Sequence, residues 1–281
     1  MSEQSPQKPD QATYWNKAGG QAWVDLQALM DRTNKPIEDV LVDRAFPGAG
    51  RQVLDVGCGA GATTIAMARR LGPDGFCLGV DISEPLVAVA ERQAAAAGLA
   101  NAQFVRADAQ THDLGAQRFD AVMSRFGVMF FADFDAAFSN LRRGTRPGGE
   151  LVFACWRSPA ENPMAQVPVT AAAHLLPPPP PGDPDAPGRF AFARRERIQG
   201  VLERSGWREI SIEPLDAHTP VTLEDAMTIG LRMGPLGAML QNADEALRGQ
   251  VRDAVESGMR AHMKDGMVQM TAACWLVTAK A

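Results

Sequence analysis

Three acids, Asp55, Asp81 and Asp108, follow short apolar runs at regular intervals, and directly after the first stand three glycines at alternate positions, Gly57, Gly59 and Gly61. A carboxylate at the end of a strand accepts hydrogen bonds from hydroxyl, amino or ammonium groups. Glycines beside it let the backbone turn sharply and let an adenosine-sized ligand lie against the peptide. The chemistry such a set could do is ligand recognition rather than bond cleavage. The histidines His112, His174, His218 and His262 are dispersed, and only His112 falls near the acids. The cysteines Cys58, Cys77, Cys155 and Cys274 have no metal-ligand spacing and read as reduced, buried thiols.

The elements that must position these acids follow from the pattern around them. Val53–Thr64, VLDVGCGAGATT, reads as a strand breaking into a glycine turn that opens a helix over 60–71, where Ile65, Ala68 and Leu71 recur at helical spacing. Further strands are predicted at 75–80, 103–106, 119–124 and 150–155, with helices at 84–97 and 133–143 between them. Ser83 suits an N-cap, and Gly98 a helix stop. This alternation predicts an α/β fold, a parallel sheet with helices on both faces. Ligands bind such sheets at the strands' carboxyl ends, where the acids lie.

Beyond Trp156 the pattern changes. The run of five prolines, 177–181, followed by GDPDAPG, excludes a helix interior or a central strand there, and predicts an irregular insertion over the sheet's edge. A helix over 194–205 and a strand over 207–213 follow. The segment 223–264 reads as a helical cap insertion carrying Met227, Met233, Met239, Met259 and Met263. Val268–Lys280 reads as a closing strand that can lie antiparallel.

The 281 residues, 46% of them hydrophobic, suffice for one large core with an attached cap. A formal charge of −5, with no basic stripe, argues against nucleic acid as partner. No apolar run approaches a membrane span, so the reading is a soluble cytoplasmic protein.

Five segments in this order, VLDVGCGAG at 53–61, GVDIS at 79–83, RADAQ at 106–110, FDAVMSRFGVMFF at 119–131 and RPGGELVFACW at 146–156, resemble the class I S-adenosylmethionine-dependent methyltransferases. Among these the chain is similar to the small-molecule branch that includes the ubiquinone and menaquinone biosynthesis methyltransferases. The resemblance implies a Rossmann-like, seven-stranded, mostly parallel sheet with its last strand antiparallel. It also implies a division into a disordered tail (1–12), an N-terminal helical lid (13–48), a cofactor-binding core (49–156), the Pro-rich insertion (157–193), and a C-terminal part (194–281) that contains the cap insertion.

By the same resemblance S-adenosylmethionine is the cofactor. Asp81 would take its ribose hydroxyls, with Ile82 on the adenine face. Asp108 and the N–H of Ala109 would read the adenine. Asp55, with the backbone near Gly57, Cys58, Gly59 and Ser124, would face the methionine end, and Arg125 would lie beside the sulfonium. Asp55 suits a buried acid holding loop groups equally well, and a carboxylate has acceptor sites for both roles. Tyr14, Trp15 and Trp23 would close over the methionine end as a lid, or pack on the sheet as a plain helix.

Phe126, Met129, Phe130, Trp156, Arg232 and Met233 are the candidate walls of an acceptor pocket, with Arg232 as an anionic contact. Core packing explains the aromatic members as readily. The implied reaction is methyl transfer to a small hydrophobic or aromatic acceptor. A sulfonium methyl is already activated, so a general base is needed only if the attacking atom carries a proton that must leave; no catalytic residue is assignable, and His112, the favoured base, and Arg125 are the polar candidates near the cleft. The alternatives are a binding or cyclase-like protein on the same scaffold and, remotely, an NAD-dependent dehydrogenase, since Gly57, Gly59 and Ala62 also satisfy the loose dinucleotide pattern. The methionine-rich insertion serves equally for a homodimer face.

Overall fold

The structure is a computed structural model that describes residues 11–177, 183, 185–241 and 243–281. The tail expected over 1–10 and the prolines 178–181 lie outside the described residues; Gln11 and Ala12, placed in that tail, open a helix.

Three helices lead in: α1 (Gln11–Asn16), α2 (Ala18–Asp25) and α3 (Gln27–Ala45). The expected alternation follows as β1 (Gln52–Val56), α4 (Ala62–Leu71), β2 (Phe76–Asp81), α5 (Glu84–Ala96), β3 (Ala102–Arg106), β4 (Phe119–Arg125), a 3-10 turn (Gly127–Phe130), α6 (Phe134–Gly144) and β5 (Thr145–Trp156). After β5 come a short 3-10 turn (Pro159–Glu161), α7 (Pro163–Ala171), α8 (Arg195–Arg204) and β6 (Arg208–Val221). The chain ends with α9 (Leu223–Arg232), α10 (Gly234–Leu240), α11 (Glu245–Arg260), β7 (Met263–Lys264) and β8 (Met267–Lys280).

The sheet runs β3-β2-β1-β4-β5-β8-β6. β1 to β5 pair in parallel, while β8 runs antiparallel between β5 and β6. This is the expected sheet plus an eighth strand, the two-residue β7 paired with β8 across the turn at Asp265 and Gly266. The order reverses between β1 and β4, and the crevice above that point is where such sheets hold ligands.

Side chains alternate across the sheet as a two-residue period requires. Leu54, Val56, Leu78, Val80 and Val122 face a core closed by Phe138 and Leu141 of α6 and Ile198 and Leu202 of α8. Val53, Cys77, Ala121, Met123 and Val152 face Leu41 and Val42 of α3, Ile65, Ala68 and Leu71 of α4, and Ala94 of α5. α3 lies within the stretch expected as lid, yet these contacts make it part of the sheet's covering layer. Its Pro36 sits inside the helix. All four cysteines are buried and unpaired.

The two insertions meet. Met164 and Val167 of α7, Ala226 and Met227 of α9, Leu236 of α10, and Val251, Val255 and Met259 of α11 enclose a small third core, with Val221 and Val268 at its base. The segment expected to be irregular therefore yields a helix. Pro163 opens it at a position where no N–H is needed, and the buried Asn162 ties its start to β8 by accepting from Ala273 N (2.8 Å) and donating to Ala273 O (3.0 Å). β6 runs past the expected end at 213, through Pro214 and Pro220, because it is an edge strand that tolerates residues without an N–H. Together β6 and β8 extend beyond β5, whose ladder with β8 ends at Trp156, and carry the cap.

Candidate functional site

At the end of β1 the chain turns through positive φ at Gly57, Gly59 and Gly61. Gly57 N and Cys58 N both donate to Val80 O, at 2.8 and 3.2 Å, which pins the turn to the end of β2. A Cβ on Gly57 would stand 2.5 Å from Gly127 Cα, so two backbones meet there and only glycine fits. A Cβ on Gly59 would meet nothing within 4 Å, so this face of the turn looks into the cleft.

Asp81 joins the glycine turn to the next loop. Its Oδ2 accepts from Gly59 N and its Oδ1 from Ser83 N, both at 2.8 Å. Burial raises its pKa, and the backbone N–H bonds from Ser83, Gly59 and Ile82 oppose that rise. Each oxygen keeps a further lone pair, which is what a pair of vicinal hydroxyls needs.

Asp55 is wholly buried. Its Oδ2 accepts from the hydroxyls of Thr63 and Thr64 on the first turn of α4, each at 2.6 Å, while Oδ1 is buried with no hydrogen-bond partner among the described residues. Burial pushes the carboxyl up to about 6, against the pull of the two threonines and of Arg125. The two threonines escaped the sequence reading, although their place directly after the glycines is the signal.

Asp108 is exposed after β3, where its Oδ1 caps Gln110 N (2.9 Å), and Ala109 is buried. Asn140 of α6 holds this turn by the carbonyls of Ala109 and His112, both at 2.9 Å. His112 is half-buried here, on the turn after the edge strand, and no contact among the described residues brings its imidazole to the aromatic residues described below.

The amino-terminal aromatics are latched over the β2 loop. Ser83 Oγ donates to Trp15 O (2.7 Å), Asn16 Nδ2 donates to Ile82 O (3.0 Å), and Glu84 N donates to Asn16 Oδ1 (3.0 Å). Trp15 sits edge-on to Tyr14, Trp23 and Phe130, with centroids at 5.2, 6.2 and 5.4 Å. These amino-terminal residues thus reach both the β2 loop and the turn after β4. Asn16 was not singled out in the sequence, because only the fold brings it to Ile82.

At the end of β4, Ser124 is buried and spends its hydroxyl locally, donating to Val56 O (2.7 Å) and accepting from Gly127 N (3.1 Å). Phe126 adopts φ +69°, a left-handed conformation that costs a bulky residue about 1–2 kcal/mol. Two contacts hold it: Phe126 N donates to Ala154 O (3.0 Å), and its ring stacks on Trp156 at 5.0 Å. Met129 is buried and Phe130 half-buried on the 3-10 turn. The strained residue therefore stands beside the glycine turn, and its ring belongs to the edge of the main core, with Trp156 and Phe130 packed against it.

Two arginines have been placed by partners that sequence does not reveal. Arg125 pairs with Glu38 (3.2 Å) and Asp31 (3.7 Å) of α3, so its guanidinium anchors that helix. Arg232 pairs with Asp25 of α2 across a cleft of about 530 Å³ between the lid and the cap. Met233 is half-buried beside it. A third, Arg189, lies over the ring of Trp156, 5.4 Å from its centroid.

Comparison with known proteins agrees with this geometry. A methyltransferase domain model matches residues 53–149, which contain the glycine turn and all three acids. Aklanonic acid methyltransferase DauC of Streptomyces sp. (strain C5) is 31% identical over 147 residues, 51% of this chain and 67% of that protein. Demethylmenaquinone methyltransferase of Thermus thermophilus is 37% identical over 111 residues, 40% of this chain and 50% of that one. The chain thus spans two thirds of the first relative's length and about half of the second's. Among solved structures, phosphoethanolamine N-methyltransferase 2 of Haemonchus contortus in complex with S-adenosyl-L-methionine superposes with a TM-score of 0.58 over 96% of this chain and 59% of that one, at 16% identity, a likeness of fold. The glycine turn, the acids at the ends of successive strands, the sheet order with its reversed β8, and sequence identity reaching across two thirds of a methyltransferase together establish that the chain belongs to the S-adenosylmethionine-dependent methyltransferases.

Proposed function

We propose that this chain transfers a methyl group from S-adenosylmethionine to a small, largely hydrophobic or aromatic acceptor. The observation that carries the cofactor's placement is the buried Asp55 Oδ1 without a partner, beside a glycine whose missing side chain leaves the cleft open. A buried carboxylate oxygen left unpaired is costly, and an ammonium offsets that cost. Asp55 would hold the amino group of the cofactor's methionine part, Asp81 the ribose hydroxyls, and Asp108 with Ala109 the adenine, while Ile82 packs beside it. Cys58, buried, shapes the turn beneath.

Bound there, S-adenosylmethionine supplies a methyl group on a sulfonium, already activated for in-line displacement, so the chain has to orient the partners and exclude water. Orientation of a well-aligned pair is worth on the order of 7–11 kcal/mol. Tyr14, Trp15 and Trp23 from the lid, Phe126, Met129 and Phe130 from the turn after β4, and Trp156 from β5 form the water-excluding wall. With Arg125 paired to α3 and His112 on the far turn, we assign neither as a base. An acceptor that ionises by itself fits a site without one.

The methionines of the second insertion support a cap more than a dimer face. Met227 and Met259 are buried in the cap's own core, and Val40 is the one large apolar side chain classed as exposed among the described residues. No helix among those residues is long and apolar enough to cross a membrane.

Transfer of radiolabel from S-adenosyl-[methyl-³H]methionine to a panel of phenols, naphthols and aromatic acids tests the proposal. Label in at least one aromatic product, lost in Asp81→Ala, is the expected result. Cofactor binding without label transfer to any of them would leave the scaffold and remove the acceptor class.

A further inference from the structure

The first of three candidates is the cleft between α2 and the cap, where Arg232 is neutralised by Asp25, and the other two cations of the lining, Arg248 and Arg252, are exposed to water. The second is the groove along α5 and the edge strand β3, which carries no cation among its lining residues. The third is Arg189.

Arg189 is half-buried, and its chain segment is docked against the site: Gly188 N donates to Met129 O (2.9 Å) on the turn that follows Phe126. Its guanidinium lies over Trp156, whose ring also stacks with Phe126, and Phe126 adjoins Gly127, which meets the glycine turn at Gly57. Arg189 is thus linked to the turn through Trp156, Phe126 and Gly127. It has no carboxylate partner among the described residues. The acid nearest in sequence, Asp185, is taken by Arg194 and by Arg197. Burial lowers the pKa of Arg189, and Tyr14 is the group that acts on it electrostatically in the opposite sense.

A guanidinium keeps its charge in proteins, and a desolvated charge without a counter-ion is unfavourable. The Arg189 side chain makes no hydrogen bond among the described residues, so its N–H groups are uncommitted, and a guanidinium binds a carboxylate through two parallel hydrogen bonds. The two other arginines singled out above are paired: Arg125 with Glu38 and Asp31, and Arg232 with Asp25.

We infer that Arg189 is the recognition residue for an anionic group on the acceptor, so that the acceptor class is an aromatic carboxylate or a comparable planar anion. This inference rests on the methyltransferase reading for its use, though not for the binding it predicts. Trp156 is the positioning residue that holds the guanidinium, with Phe126 behind it.

The test is calorimetric titration of the full chain, saturated with S-adenosylhomocysteine, with 2-naphthoate and with its neutral isostere 2-naphthamide. The same titrations are made on Arg189→Met and Arg189→Lys, each checked by thermal melting. The expected result is naphthoate binding at least about tenfold tighter than naphthamide in the wild type, no preference in Arg189→Met, and a partial preference in Arg189→Lys. S-adenosylhomocysteine affinity should be unchanged in both variants. Equal binding of acid and amide by the wild type, binding of neither, or a preference that survives Arg189→Met would overturn the inference. Failure of S-adenosylhomocysteine to bind the wild type would instead count against the cofactor assignment, and the naphthoate comparison without it would still decide the role of Arg189.

Discussion

At the scale of single residues, Asp55 makes the sharpest physical statement. Its pKa of about 6 in the folded chain lies above that of an unfolded aspartate, about 3.9, so the folded state holds the proton more tightly. Its contribution to stability is therefore greatest below about pH 4 and is lost as pH rises through 6, a swing of roughly 3 kcal/mol. An ammonium at Oδ1 favours the ionised form, which gives ligand binding the opposite dependence. S-adenosylhomocysteine affinity should rise about tenfold from pH 5 to pH 7, following the ionised fraction of a group titrating near 6. In Asp55→Asn that slope should be flat, and an unchanged slope by calorimetry would remove Asp55 from the site. Asp81 carries a double duty that the sequence did not show. Its replacement by alanine should weaken binding by about 2–4 kcal/mol through lost charge-assisted bonds and should also lower the melting temperature, because Gly59 N and Ser83 N lose their acceptor. A melting temperature equal to wild type would contradict the bracing role. Glycines and strand-end acids are legible in the sequence because backbone conformation and strand position dictate them. The partners of Arg125 and Arg232 are not, because Glu38 and Asp25 stand 87 and 207 residues away and only the fold chooses them.

Among the elements, the lid is the one whose behaviour the latch determines. α1 has no buried residue of its own, and its hold on the β2 loop rests on Asn16, Ser83 and the Trp15 cluster. Asn16→Ala should raise amide exchange through residues 11–25, leave exchange in β1 and β4 unchanged, and weaken S-adenosylhomocysteine binding several-fold. Uniform loss of protection across the sheet would show that the segment is structural packing rather than a closing element. α3, by contrast, is bolted to the sheet by Leu41, Val42 and Arg125 as a covering helix of the core. The strands of the core were readable from apolar runs ended by turn residues. α7 was not, because proline is a breaker by local propensity, and tertiary burial of Met164 and Val167 overrides it, as burial of Ile37 and Leu41 does where α3 runs through Pro36.

At the scale of the whole molecule, two cores of different kind are joined by the long β6 and β8 pair: a sheet covered on both faces, and a small helical cap with its own apolar interior. The cap's apolar core shares no residue with the glycine turn. Val255→Ala, at the centre of the cap, should therefore destabilise by about 1–3 kcal/mol, felt first in exchange from α9 and α11, while S-adenosylhomocysteine affinity stays within about twofold. A large loss of affinity would show that cap and cofactor site fold as one unit. The division into core and insertions was legible from the change of pattern after Trp156; that the two insertions pack on each other was not, since helices distant in sequence reveal no pairing before the fold is known. The most direct test of the whole account is isothermal titration of the purified chain with S-adenosylmethionine, S-adenosylhomocysteine and NADH. Micromolar binding of both adenosyl ligands, one per chain, with no heat from NADH is the predicted result. NADH binding, or no binding of either adenosyl ligand, would contradict it.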